Sequence, residues 1–257
     1  MNDNLDLIKT EFTKQAPLFN TYQETDVKQA FNEKAIEQMR LNGSENILEI
    51  AAGTCAFGRM IAPHVAHITE LDVTAAMLAV GRQENEKANI YNVDYVIGTA
   101  EQLPFENGSF DLVVSRLAFH HFTNTDMVFN EMRRVLKSGG KIVIADMVAR
   151  NEPYGHTADE YERLRDPSHV RCLTEKEFLS LADKYGFYAL HKSLTDIPMD
   201  LNAWLNLTKT PQEIKDKITA DMLADINGGK KTGFEPFLKN DKIMFNHKWQ
   251  MLILISK

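Results

Sequence analysis

The run Ile47-Leu48-Glu49-Ile50-Ala51-Ala52-Gly53-Thr54-Cys55-Ala56-Phe57-Gly58 decides the fold. It begins as a short apolar strand over 46–50, enters a turn of small residues and leaves it as a helix over 56–63. In an open parallel sheet, ligands bind beyond the carboxyl ends of the strands, near the point where strand order reverses. A turn built from Ala51, Ala52 and Gly53 there lets the backbone approach a ligand with little side chain in the way. The same residues would also serve plain helix–strand packing, so the turn alone leaves both readings open.

Outward from this turn, apolar β-rich runs alternate with helical patterns as far as residue 150, the signature of βα units stacked into a parallel sheet. HITELDV (67–73) is the second strand, and a helix over 74–87 follows it with Thr74 as N-cap. VDYVI (93–97) and FDLVVS (110–115) come next, then a helix over 124–137 that Ser138-Gly139-Gly140 closes as a left-handed cap. KIVIADMV (141–148) is the fifth strand. Beyond Arg150 the pattern turns polar and mixed, and includes RLRDPSHVR. A helix from Thr174 to Tyr185 stops at Gly186, FYALHKSL (187–194) is a strand, helical segments fill 200–226, and KWQMLILIS (248–256) is a strand buried on both faces.

Two acids flank the glycine turn. Glu49 ends the first strand, where an unpaired carboxylate beside an apolar strand is costly. Asp72 ends the second strand, 19 residues beyond Gly53, where a carboxylate can accept both hydroxyls of a ribose. The plainer alternative for Asp72 is an acid favoured at the start of the following helix.

Composition narrows the partners. The 257 residues carry 29 basic and 36 acidic side chains, a formal charge of −7, which disfavours nucleic acid and anionic membrane surfaces. MNDNLDLIKTEF lacks a basic region followed by an apolar core, no apolar run is long enough to span a bilayer, and a cytoplasmic protein is expected. Cys55 and Cys172 stand in unrelated contexts with no Cys/His cluster, so neither a metal site nor a disulfide is expected.

Taken together, these residues resemble the class I S-adenosylmethionine-dependent methyltransferases, in the ubiquinone/menaquinone-biosynthesis-like small-molecule branch (methyltransferase type 11-like). GTAEQLPFENGSFDLVVSRLAFHHF and NEMRRVLKSGGKIVIADMV continue the likeness, which covers roughly 45–148 as consecutive blocks in the right order. The resemblance implies a Rossmann-like α/β fold: a seven-stranded, mostly parallel sheet in the order 3-2-1-4-5-7-6, last strand antiparallel, with helices on both faces and a helical cap. It divides 1–257, read as a single domain, into an N-terminal lid (1–40), a cofactor-binding core (45–148) and cap insertions (151–175 and 195–245). S-adenosyl-L-methionine is the implied cofactor, with S-adenosyl-L-homocysteine as product and no metal.

Carried over by position, Glu49, Ala51 and Gly53 face the methionine end and Asp72 holds the ribose. Val73 and Met77 pack nearby, Thr99, Ala100 and Glu101 frame the adenine, and Ser115 lies beneath the cofactor. The chain departs from the family at Ala51 and Cys55, where glycines are usual, and at Thr99, where an aspartate is common. The resemblance implies as acceptor a small, partly apolar or aromatic metabolite, methylated on O, N or C, and a monomer or homodimer is expected. His120 and His169 are candidate bases, with Tyr22, His121, Arg165 and Trp204 as substrate contacts. Two alternatives remain at this level: a non-catalytic S-adenosylmethionine-binding regulatory module, and a nicotinamide-dependent oxidoreductase that Ala51-x-Gly53-x-x-Ala56 loosely imitates.

Overall fold

The structure, a computed structural model, describes residues 3–19, 25–150, 154 and 156–257. Strands β1 (Asn46–Ile50), β2 (His67–Asp72), β3 (Val93–Ile97), β4 (Phe110–Arg116) and β5 (Leu136–Met147) form a parallel array in the order β3-β2-β1-β4-β5. β6 (Phe187–Asp200) and β8 (Lys242–Ser256) complete it: β8 runs antiparallel between β5 and β6. The order 3-2-1-4-5-7-6 is thus present, with the reversed last strand carrying the label β8. The extra strand is β7 (Phe237–Lys239), a three-residue hairpin partner of β8. Its turn, Asn240-Asp241, places both residues at positive φ (50° and 59°), the geometry of a two-residue hairpin loop.

Alternation along the strands divides the core between the two faces. Ile47, Leu112, Val114, Val143 and Ile253 point to one side. There they meet helices α2 (Asp26–Met39) and α3 (Ala56–Ile61) through Phe31, Ala35, Met39, Phe57 and Ile61. Leu48, Ile50, Val113, Ile142, Ile144 and Leu252 point to the other. They bury against α5 (Thr125–Val135) and α7 (Glu175–Lys184) through Val128, Phe129, Met132 and Phe178. α1 (Asp3–Phe19) lies across the carboxyl edge of the sheet, touching α4 (Ala75–Lys87) and α8 (Leu201–Leu207).

Two boundaries differ from expectation. The helix expected over 124–137 ends at Val135, because Leu136 already has extended backbone (φ −77°, ψ 135°) and pairs with Phe110. Ser138-Gly139-Gly140 therefore lies inside β5, at the register shift opposite Phe110 and Leu112, and caps no helix. A Cβ at Gly140 would stand 2.8 Å from the Asp111 carbonyl oxygen, which is why glycine fits there. Second, 195–200 and 242–245, expected in the cap, continue β6 and β8 as a long antiparallel ribbon with Asp200 opposite Met244. Between the ribbon's arms sit α8, α9 (Gln212–Ile226) and β7; α6 (Thr157–Arg165) packs on α9. Trp204, Phe234 and Phe245 meet edge-on or tilted at 4.8–5.5 Å.

Candidate active site

A cavity of about 530 Å³ opens at the carboxyl edge of β1, β2 and β4, a volume within the usual range for small-molecule sites. The turn after β1 forms its floor. Gly53 has φ +56°, and a Cβ there would meet nothing closer than the Met77 Cε at 3.8 Å, so the floor is open. Asp72 fixes this turn: its Oδ2 accepts from the Gly53 N–H (2.8 Å) and its Oδ1 from the Thr74 N–H (2.7 Å). The side chain is therefore both the helix-start acid and a clamp on the glycine turn. Burial pushes its pKa up, and the amide bonds pull against that.

Glu49 lines the same cavity, 2% exposed. In the β1–β2 register it stands opposite Glu70, which is completely buried and does not reach the cavity. Both carboxyls lie against Gly58 in the first turn of α3: a Cβ there would be 1.7 Å from Glu70 Oε1 and 2.8 Å from Glu49 Oε2. Gly58 is thus required by the acids rather than by its own backbone. Burial raises the Glu49 pKa to about 7 and lifts that of Glu70 well above the carboxylate range.

Of the residues expected at a cofactor, Glu49, Ala51, Gly53, Asp72, Val73, Met77, Thr99, Ala100 and Glu101 all line this one cavity. Ser115 does not; it is fully buried within β4, and Arg116, Leu117 and Ala118 line the cavity beyond it. Cys55 is likewise absent from the lining. Its left-handed backbone (φ +55°) turns the thiol toward α4, against Gly81, where an added Cβ would be 2.5 Å from the sulfur. The departure from glycine at position 55 is absorbed by a glycine on the facing helix.

The far end of the cavity is lined by Phe12, His120, His121, Arg165, Asp166, Met199, Trp204, His247 and Trp249, among others. His120 follows β4 in a short 3-10 turn and directs Nδ1 at Asp146 Oδ1, 2.6 Å away. Asp146 is fully buried in β5 and also accepts from the Ala118, Phe119 and Met147 amides at 2.7–2.8 Å. Burial works against the charged imidazolium, yet the carboxylate outweighs it and the His120 pKa is raised. His121 bonds no acid directly: burial and the neighbouring His120 outweigh the charge of Asp166 and bring its pKa down to about 3, so it is neutral. Its ring packs edge-on to Phe12 of α1, and its Nδ1 faces the Ser168 carbonyl at 3.0 Å.

RDPSHVR is not the solvated loop its polarity implies. Asp166, Ser168 and His169 are buried. The Ser168 hydroxyl and amide donate to Asp166 Oδ1, and the Val170 and Arg171 amides donate to the His120 carbonyl. Arg165 lies 4.7 Å over the Trp204 ring and pairs with Glu162 at 3.4 Å. His169 lies outside the cavity lining, with Nε2 on Asp159 Oδ1 at 2.7 Å, so its contact is with the cap and not with the cavity. Asp159, His169 and Cys172 bring their donor atoms within 4.8 Å of one another. Hydrogen bonds already knit this group: Asp159 Oδ1 also accepts from the Cys172 amide, and burial keeps the thiol protonated. Tyr22 lies outside the described residues.

Sequence reasoning missed Glu70, Asp146 and His247. The first two carried a signal: an acid inside an apolar strand (ITELD, IVIADM), the argument that singled out Glu49. His247, which bonds Glu162 at 2.9 Å, had none, since nothing in FNHKW shows that β8 reaches the cavity.

With this geometry in place, comparison with known proteins is informative. A family described as a methyltransferase domain matches residues 48–144. The uncharacterized methyltransferase YcgJ of Bacillus subtilis (strain 168) is 30% identical over 189 residues, 71% of this chain and 73% of that protein. Its crystal structure superposes with a TM-score of 0.79 at 25% identity, covering 89% of this chain and 99% of that one. A Bacillus halodurans C-125 structure gives a TM-score of 0.80, 25% identity, and 88% and 98% coverage. Demethylmenaquinone methyltransferase of Listeria welshimeri is 32% identical over 126 residues, 48% of this chain and 53% of that enzyme, so the match spans about half of its length.

Proposed function

This chain belongs to the class I S-adenosylmethionine-dependent methyltransferases, and on that premise we propose that it methylates an O, N or C atom of a small, partly apolar or aromatic metabolite. The observation that carries the proposal is a single cavity with two unlike ends. One is ringed by Glu49, Asp72 and the 99–101 turn; the other by Phe12, His120, His121, Arg165 and Trp204.

The residues present fit the cofactor. Asp72 holds the Gly53 and Thr74 amides and borders the cavity at the end of β2, where its carboxylate suits ribose hydroxyls. Glu49 keeps an orphaned, buried oxygen beside the cavity, suited to an ammonium. Ala51, Ala52 and Gly53 leave room for the methionine portion, Val73 and Met77 for the sugar's surroundings, and Thr99, Ala100 and Glu101 for the base. S-adenosylmethionine, when bound, supplies an electrophilic methyl group on a sulfonium whose departure as a thioether needs no acid.

What the chain contributes is alignment, exclusion of water and management of the acceptor's proton. His120 has Nδ1 committed to Asp146, which leaves Nε2 to take up that proton, with the carboxylate stabilising the imidazolium as in other acid–histidine pairs. His121 and Arg165 border the acceptor, and Trp204 gives it an apolar wall. His169 acts through Asp159, as a positioning residue of the cap. Titration with S-adenosylhomocysteine tests the cofactor end, and methyl transfer from labelled S-adenosylmethionine to a panel of small phenols, enols and amines tests the other. No binding at millimolar ligand sinks the proposal.

A further inference from the structure

Two carboxyl groups facing each other inside a sheet need a reason. Glu49 and Glu70 are register partners on the same face of β1 and β2, 2% and 0% exposed. Among the described residues, no N–H or O–H group donates to Glu49 Oε2 or to either oxygen of Glu70. An oxygen of each carboxyl closes on the same point beside Gly58, so a proton shared between the two supplies the donor that neither oxygen otherwise has. Two such groups in contact and out of water do not both ionise.

The surroundings set the direction of any change. The Gly58 amide at the start of α3 donates to Glu49, and Arg116 of β4 favours the Glu49 carboxylate by its charge. Arg59 of α3 does the same for Glu70 from a distance, its guanidinium being bonded to the Thr54 carbonyl and Asn85. Asp72 on β2 opposes ionisation of both, and the Cys55 thiol beside them is neutral. Of the two, only Glu49 borders the cavity; Glu70 does not reach it, and Gly58 packs against both carboxyls.

We propose that Glu70 is the buried second carboxyl of a cation subsite, and that the Glu49–Glu70 pair holds one proton in the free protein and releases it when a ligand's primary ammonium docks on Glu49. The inference rests on the cofactor reading above, since the α-amino group of S-adenosylmethionine or its product is the ammonium in question. An incoming positive charge replaces the shared proton as the partner of the two carboxylates, and the proton leaves through the cavity to solvent. Cofactor affinity then rises with pH across the range in which the empty pair holds its proton. Glu70 is a positioning residue: it acts through Glu49.

The test is calorimetric titration of the full chain with S-adenosylhomocysteine near pH 7, in buffers of different ionisation enthalpy. The expected result is release of up to about one proton per ligand bound. In Glu70→Gln, S-adenosylhomocysteine still binds and the release disappears. 5′-Methylthioadenosine, which lacks the amino-acid portion, binds wild-type protein without release, so the inference stays testable even where the variant fails to fold. A buffer-independent enthalpy with S-adenosylhomocysteine overturns it, as does equal release in Glu70→Gln or equal release with methylthioadenosine. Binding without release defeats this inference alone; no binding of S-adenosylhomocysteine defeats the cofactor reading and this inference with it.

Discussion

The two ends of the cavity are held in different ways. At the cofactor end the polar side chains are fixed by neighbours on the same chain segment or the adjacent strand: Asp72 by the Gly53 and Thr74 amides, and Glu49 by Gly58 and Glu70. At the proposed acceptor end only His120 is held that way, by Asp146 of the adjacent strand β5; His121 leans on Ser168, 47 residues away, and His247 on Glu162, 85 residues away. One end is a property of βα units; the other adds the assembled cap to them. The cofactor end should therefore tolerate changes in the cap, while the acceptor end should respond to changes almost anywhere.

The sharpest break is expected at Asp146→Ala, which leaves His120 Nδ1 and three buried amides without an acceptor. It should cost about 3–5 kcal/mol in urea denaturation, the usual consequence of removing one partner of a buried pair. Asp146→Asn should retain the fold and bring the His120 pKa down in an NMR titration. Next is Gly58→Ala, whose Cβ lands on Glu70. A loss of about 1–3 kcal/mol is expected, and Glu70→Ala on the same chain should restore much of it.

Asp72→Ala should weaken S-adenosylhomocysteine about 10- to 100-fold by calorimetry, the scale of a charged hydrogen-bonding group. A further effect is a pH slope in stability. Glu49 has a folded pKa raised from 4.5 to about 7, so its contribution is full below pH 4.5 and is lost as pH rises through about 7. Thermal melts should therefore fall over that window, and the fall should shrink in Glu49→Gln. The smallest is His169→Ala, which should cost about 1–2 kcal/mol of stability and leave S-adenosylhomocysteine affinity within about twofold. A larger loss of affinity there would erase the distinction between the ends.

This contrast also explains what the sequence disclosed. Glu49, Gly53 and Asp72 follow from strand ends and a small-residue turn, features that live within about 25 residues of chain. The strand order came with the family resemblance and not from any local feature, and it lacked a three-residue hairpin too short to show periodicity. His169 was the opposite case. Its neighbours in RDPSHVR place it beside His120 in chemistry, yet Asp159 on α6 draws its ring into the cap. The polarity of that loop pointed to solvent, and only tertiary pairing with the His120 and His121 segment buries it. Glu70 carries the same signal as Glu49, an acid inside an apolar strand, but only the β1–β2 register sets the two face to face.

The place of β8 carries a temporal consequence. It is the last strand in order, yet it lies between β5 and β6, with Ala145 opposite Met251 and Thr195 opposite Trp249. During synthesis β1 to β5 can pair as they emerge, but β6 has no neighbour to join until β8 arrives, and Trp249 and His247 reach the cavity only then. Long-range closure of this kind is slow and leaves strand edges bare meanwhile. The nascent chain therefore completes the turn after β1 well before Trp249 and His247 close the far end of the cavity, and the interval between the two is when it is most open to misassembly.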